Sequence, residues 1–266
     1  MGQVFSVSEE LPPQACETIA GPPHHRLRRH VAGYAGFRTR LDPSVRRRIF
    51  PLNMTIVLID VADGYGLVVG PRHAPACHEG PGWQHGITIG LTPWGTRSLL
   101  GTPVSELAGR TVALEDLLGR RARELTDRLA ASPDWAARRG LLDERLSAWL
   151  RPQRDPDGAV TRAWWQIQTS AGRVRIGRLA EDIGVSRRYL EIGFRRQIGV
   201  PPKTVARVAR FQHAVDVLSQ PSATFGAAVA CGYADQSHFN REFRAMAGIT
   251  PTQLFAFLQY VRPLAD

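Results

Sequence analysis

Three kinds of hydrophobic spacing succeed one another along the 266 residues. Residues 33–38, 54–60, 66–70 and 86–91 are short runs, apolar throughout or alternating apolar with polar, and Gly, Pro and Asp punctuate them. Runs of that length bounded by breakers predict the strands of a small sheet or barrel. From Pro93 the period lengthens. Thr92 and Pro93 predict a helix start for residues 94–100, because proline suits the first helical turn. Leu114, Leu117, Leu118, Leu125 and Leu129 form one stripe over residues 114–131. Leu141, Leu142, Leu146, Trp149 and Leu150 form another over residues 135–150. The two stripes predict an antiparallel helical hairpin broken at Ser132 and Pro133. Residues 1–25 are Pro-rich and polar and predict a flexible N-terminus, and residues 151–158 read as a polar linker. The expected organisation is thus a first domain over 26–150, a linker over 151–160 and a second domain over 161–266.

The third spacing belongs to the second domain and occurs twice. Ala180 and Gly184 match Ala228 and Gly232 at an offset of 48, and Leu190, Phe194, Gly199 and Pro202 match Phe239, Phe243, Gly248 and Pro251 at an offset of 49. The repeat therefore tolerates one inserted residue in its turn. Each copy predicts a helix-turn-helix, over 176–197 and 224–247. Two short helices that cross closely need a small residue at the crossing, here Ala180 and Ala228. Their turn needs a residue at ease with positive φ, here Gly184 and Gly232. Ser186 and Asp235 are the expected N-caps of the second helices, since their side-chain oxygens can accept an orphaned backbone N–H. Leu190 with Phe194, and Phe239 with Phe243, stand four apart and face inward. The outward set is then Ser186, Arg187, Arg188, Glu191, Arg195 and Arg196 in the first copy, and Gln236, Ser237, Asn240, Arg241 and Arg244 in the second. Such side chains suit duplex DNA. Arginine bonds guanine O6 and N7 in pairs, Asn and Gln do so to adenine N6 and N7, and helix N-termini with Ser and Arg hold phosphates.

Residues 161–257 resemble the DNA-binding domain of the AraC/XylS family of bacterial transcription regulators. The resemblance is carried by residues 179–190, by the more specific block 231–244, and by Gly248 to Pro251. It implies a seven-helix domain in which a linker helix, from Pro202 to about Ser219, joins two halves through Val205, Val208, Ala209 and Val215. It also implies that the two reading helices enter successive major grooves about one helical turn apart. The base-reading positions correspond to Arg188, Glu191 and Ile192 in the first half and to Gln236, Ser237, Asn240 and Arg241 in the second. Ile192 and Gly193 depart from the pattern. Glycine weakens a helix by ~1 kcal/mol relative to alanine, and Ile192 can offer a base only contact with a thymine methyl. The family's N-terminal domains commonly sense an effector, dimerise the protein, or both, and residues 91–107 resemble uncharacterised sensor halves of actinobacterial members. The implied partners are promoter DNA, a small-molecule effector, RNA polymerase and a second copy of the chain; the hairpin is the candidate dimerisation element, with packing against the sheet of its own chain the equal alternative.

Charge agrees with this reading. Lys and Arg number 34 against 24 Asp and Glu, a net charge of +10. Residues 151–266 hold +7 of it and residues 1–150 only +3, which places the excess in the half that would meet phosphates. Lys203 is the sole lysine, a bias expected of a GC-rich coding genome that also favours planar, bidentate recognition of phosphate and guanine. Cys16, Cys77 and Cys231 have no paired spacing and suggest a reducing compartment. No apolar run reaches membrane-spanning length and no secretory leader is evident, so a cytoplasmic protein without membrane contact is expected.

The fold class expected is α+β, a small cupin-like sheet or barrel and a helical hairpin followed by an all-α double helix-turn-helix domain. Two enzymatic alternatives exist, a DNA-processing enzyme or a cupin-type metal enzyme carrying a DNA-binding tail. The first needs a carboxylate cluster or nucleophile in residues 30–150, and none is evident. The second needs His-x-His, a Glu and a distant His. His73, His78, Glu79 and His85 are close in sequence but contain no His-x-His. No Gly-x-Ser-x-Gly elbow and no phosphate-cradling glycine loop occur. Catalytic residues, a metal and a cofactor are therefore not expected, and Trp83, Trp94, Trp164 and Trp165 are read as core.

Overall fold

A computed structural model of the protein describes residues 6–8, 16–39, 46–78, 83–151, 158–220, 224–258 and 261–263. The strands are β1 (Ser6–Ser8), β2 (Cys16–Gly21), β3 (Val31–Thr39), β4 (Arg47–Ile49), β5 (Thr55–Asp60), β6 (Tyr65–Val69), β7 (Ala76–His78), β8 (His85–Leu91), β9 (Thr111–Ala113) and β10 (Val261–Pro263). The helices of the first half are α1 (Pro93–Gly95), which continues as one π-helical turn over Thr96–Leu100, then α2 (Val104–Leu107), α3 (Leu114–Leu118), α4 (Arg120–Ala131) and α5 (Trp135–Trp149). The second half holds seven, α6 (Gly158–Thr169), α7 (Ile176–Ile183), α8 (Arg187–Ile198), α9 (Pro202–Leu218), α10 (Phe225–Val229), α11 (Gln236–Ala247) and α12 (Pro251–Leu258).

The strands form a seven-stranded sheet of order β10-β2-β3-β8-β5-β6-β9 and a three-stranded sheet of order β1-β4-β7. All pairings are antiparallel except β10 with β2. The β5 strand shows why one run of apolar residues suits this place. All six of its residues are buried. Successive side chains point to opposite faces. Ile56 and Leu58 therefore join Ile49, Leu52, Val69 and Trp83 on one face. Val57 and Ile59 meet Val68, Ile87 and Ile89 on the other. That second face is roofed by the hairpin, through Leu114, Leu125, Leu129, Leu142 and Leu146. Of the two places open to the hairpin's apolar stripe, the structure fills the one on the sheet of its own chain.

Other expectations change with the structure. Residues 16–21, expected in the flexible N-terminus, form β2, which pairs along its full length with β3. No local pattern marks it, because its half-buried residues gain their place by pairing. The helix expected over 114–131 is two helices that meet at Gly119, with φ 55 and ψ −131. Residues 158–160, expected in the linker, open α6, while residues 152–157 lie outside the described residues.

The two halves share their cores. Trp94 packs edge-on against Trp164 at 5.4 Å between ring centroids, inside a cluster with Val160, Leu190 and Phe194. Phe50 meets Phe211 of α9 at 5.9 Å. Two buried side-chain amides cross the seam. Asn53 Nδ2 donates to the Val205 carbonyl at 2.8 Å, and Gln212 Nε2 donates to the Pro51 carbonyl at 2.6 Å. Both bonds satisfy buried N–H donors, while Gln212 Oε1 has no partner among the described residues, and together they fix how α9 sits against the first half.

Candidate nucleic-acid interface

Each helix-turn-helix is built by local chemistry. Gly184 ends α7 at φ 80, and Gly232 takes φ 102 in the longer second turn, a backbone region nearly closed to other residues. Ser186 Oγ accepts from the Tyr189 N–H at 3.1 Å and caps α8. Asp235 Oδ1 accepts from the His238 N–H at 2.7 Å and caps α11, one residue later in the repeat. Ala180 and Ala228 are buried at the crossings, and Leu190, Phe194, Phe239 and Phe243 are buried beneath the second helices.

Anchoring those four residues leaves the opposite faces to solvent. Ser186, Arg187, Arg188, Arg195 and Arg196 are exposed on α8 and its cap, as are Gln236, Ser237, Asn240, Arg241 and Arg244 on α11. Glu191 is half-buried, and its carboxylate lies 3.1 Å from Arg187 Nε. That pair reduces the charge α8 presents. Arg188, Arg195, Arg196, Arg241 and Arg244 have no ion-pair partner among the described residues. Ile192 and Tyr189 stand out from α8 with 55% and 46% exposure, an apolar patch on an otherwise cationic face.

Gly193 is not the local weakness it appears in sequence. It is buried, and a Cβ there would stand 2.5 Å from Val160 Cγ2. Glycine lets α6 and α8 approach, and only the partner helix reveals that need. Sequence reasoning also missed Glu242 on α11, whose carboxylate lies 2.8 Å from Arg207 Nε, 3.8 Å from Arg210 Nη1 and 3.8 Å from His238 Nε2. His238 and Glu242 stand four apart on one face, a local signal, but the arginines come from α9. Tyr233 packs in the same corner, and burial pushes its hydroxyl pKa well above the ordinary tyrosine value.

Residues 179–256 match the family model of a helix-turn-helix domain. A probable AraC family transcriptional regulator from Rhodopseudomonas palustris is 32% identical over 40% of this chain and all of its own, with a TM-score of 0.34. The chain belongs to the AraC family of transcription regulators. A second regulator with an AraC-type DNA-binding domain, from Chromobacterium violaceum, is 27% identical over 38% of this chain and 91% of its own, with a TM-score of 0.35. ToxT from Vibrio cholerae is 11% identical over 96% of both chains, with a TM-score of 0.48. Among curated proteins no match is found. This AraC-family chain is a DNA-binding transcription regulator, and its mixed architecture puts β1 to β9 ahead of the helix-turn-helix pair and β10 after it.

Elsewhere the regulator's titratable groups are dispersed. His78 stacks on Trp83 at 5.2 Å, and His85 lies 3.0 Å from Arg138 Nη1. Glu79 lies outside the described residues. No three His, Cys, Asp or Glu side chains come together as a metal set among the described residues. No helix among them is long and apolar enough to cross a membrane. Between the two halves lies a cavity of about 320 Å³, with His73 and Arg72 on one wall and Gly199, Val200 and Thr204 on the other. Arg72 is 8% exposed and its Nε has no hydrogen-bond partner among the described residues. Burial pulls its pKa below the ordinary arginine value.

Proposed function

We propose that the regulator reads two adjacent boxes of promoter DNA, α8 through Arg188, Glu191 and Ile192 and α11 through Gln236, Ser237, Asn240 and Arg241. Ser186, Arg187, Arg195, Arg196 and Arg244 hold phosphates on either side. The observation that carries this is the shared construction of α8 and α11. Each is N-capped, anchored by two buried residues four apart, and leaves its opposite face exposed. Action is by binding alone, without catalysis, in the cytoplasm. An effector would act at the cavity between the halves, where the end of α8 and the start of α9 meet Arg72. A buried guanidinium with its Nε unbonded and no carboxylate partner among the described residues favours an anionic ligand. Effector binding would alter the seating of α9 and so the spacing of the readers, dimer geometry or contact with RNA polymerase.

The test is selection of bound duplexes from a random library with the full-length protein. Two enriched boxes about one helical turn (~10 bp) apart are expected. A single enriched box would assign reading to one helix only. Binding without any enrichment would remove the base-reading roles.

A further inference from the structure

Between the flanks of the two reading helices runs a concave groove enclosing about 840 Å³. Arg187 and Glu191 of α8 form one side, and His238 and Glu242 of α11 the other. The first half of α9 and the turn before α7 complete it. Six cations line the groove, Arg173, Arg175, Arg187, Lys203, Arg207 and Arg210, against the two carboxylates of Glu191 and Glu242.

The carboxylates do not reach all six. Glu191 serves Arg187, and Glu242 serves Arg207 and Arg210. Arg173, Arg175 and Lys203 are exposed and have no carboxylate within ion-pair distance among the described residues. Like charges gathered in a concavity repel one another and focus the field outward. The helices reinforce that sign. Neither α7 nor α9, both of which start here, has a side-chain cap, so their first free N–H groups add partial positive charge. Arg210 also donates to the Gly172 carbonyl at 3.1 Å, which ties the turn before α7 onto α9 and keeps the groove's shape.

We propose that this groove seats the sugar-phosphate backbone of the duplex where it passes from the major groove read by α8 to the one read by α11. The inference rests on the reading that both helices enter DNA. If they do, the backbone flanking the intervening minor groove must cross the protein between them. Duplex DNA carries one negative charge per ~1.7 Å of axis, and the unpaired cations meet it there. Arg175 and Lys203 then supply affinity and register without sequence preference, while discrimination stays with the outward faces of α8 and α11.

The experiment uses the full-length protein, a duplex carrying the selected site and a scrambled duplex of equal length, each titrated over a series of salt concentrations. Arg175→Ala and Lys203→Ala are each expected to lower the slope of log K against log salt by about 0.9, and to weaken both duplexes by the same factor. Arg175→Lys keeps the charge and should keep the slope. Arg121→Ala, on the exposed side of α4, is the control for net charge and should leave the slope unchanged. Unchanged slopes in Arg175→Ala and Lys203→Ala, with wild-type binding intact, would overturn the proposal. So would an equal drop in Arg121→Ala, or a loss confined to the selected site, which would make these residues base readers. Wild-type protein that binds neither duplex would instead refute the DNA reading of the two helices on which the proposal stands.

Discussion

Replacing Gly193 with alanine has opposite expected effects for α8 alone and for α8 packed in the protein. In an isolated helix the change should stabilise by ~1 kcal/mol, the usual cost of an interior glycine. In the structure the new methyl would lie 2.5 Å from Val160 Cγ2, whereas ordinary contact begins at 3.4 Å. The neighbour must therefore withdraw by about 1 Å. Val160 has little freedom to do so. It is fully buried among Ala163, Trp164, Leu190 and Phe194, and a helical valine holds one χ1 rotamer about 90% of the time. Overpacking of this kind costs ~1–3 kcal/mol. The helical gain offsets part of that, leaving a net loss of up to ~2 kcal/mol. Urea denaturation of the full chain reads it as a lower midpoint at unchanged slope. Truncating the neighbour supplies the internal control. In a Val160→Ala background Gly193→Ala should cost less or stabilise. A gain of ~1 kcal/mol in the wild-type background would refute the reasoning, because it would mean that α6 yields and Gly193 is only a weak helix former.

Three further outcomes follow from named groups. Burial raises the Asp216 pKa from 3.8 to about 6, so the folded state holds this proton more tightly than the unfolded chain. Its contribution to stability is full below about 4, falls as pH rises through about 6, and is flat above that; Asp216→Asn should abolish this step in a comparison of denaturation curves across pH, and identical pH profiles would place Asp216 in water. Gln212→Ala removes a buried bond across the seam and leaves the Pro51 carbonyl without that donor, which should cost ~1–3 kcal/mol in the same denaturation assay; no loss would mean that water replaces the amide. Arg241→Ala should cost ~1–3 kcal/mol on the selected site and relax one base position in a repeated selection, whereas equal loss on every sequence would make Arg241 a phosphate contact.

The features legible in the chain alone are those whose physics is local. Helix caps act within one turn, so Ser186 and Asp235 could be placed on sight, and the hydroxyl and carboxylate accept the expected N–H groups. Positive φ at Gly184 and Gly232 and the inward pairs Leu190 with Phe194 and Phe239 with Phe243 depend on spacing along one chain segment. The outward face of each reading helix follows as the remainder. The four main strands and the hairpin were legible for the same reason, since period and breakers are properties of short windows.

Tertiary structure decided what depends on partners remote in sequence. The short strands β4, β7 and β9 carry three residues each, too few to show a period, and exist through the strands beside them. Whether the hairpin's leucines would meet another molecule or the chain's own sheet could not be read from a stripe, which states only that burial is needed. Gly193 is a defect in a lone helix and a requirement against Val160. Arg173, Arg175 and Lys203 look like scattered surface charges until α7, α9 and α11 bring them to one groove. Electrostatic focusing and close packing are set by distances through space, and those distances exist only once the helices have met.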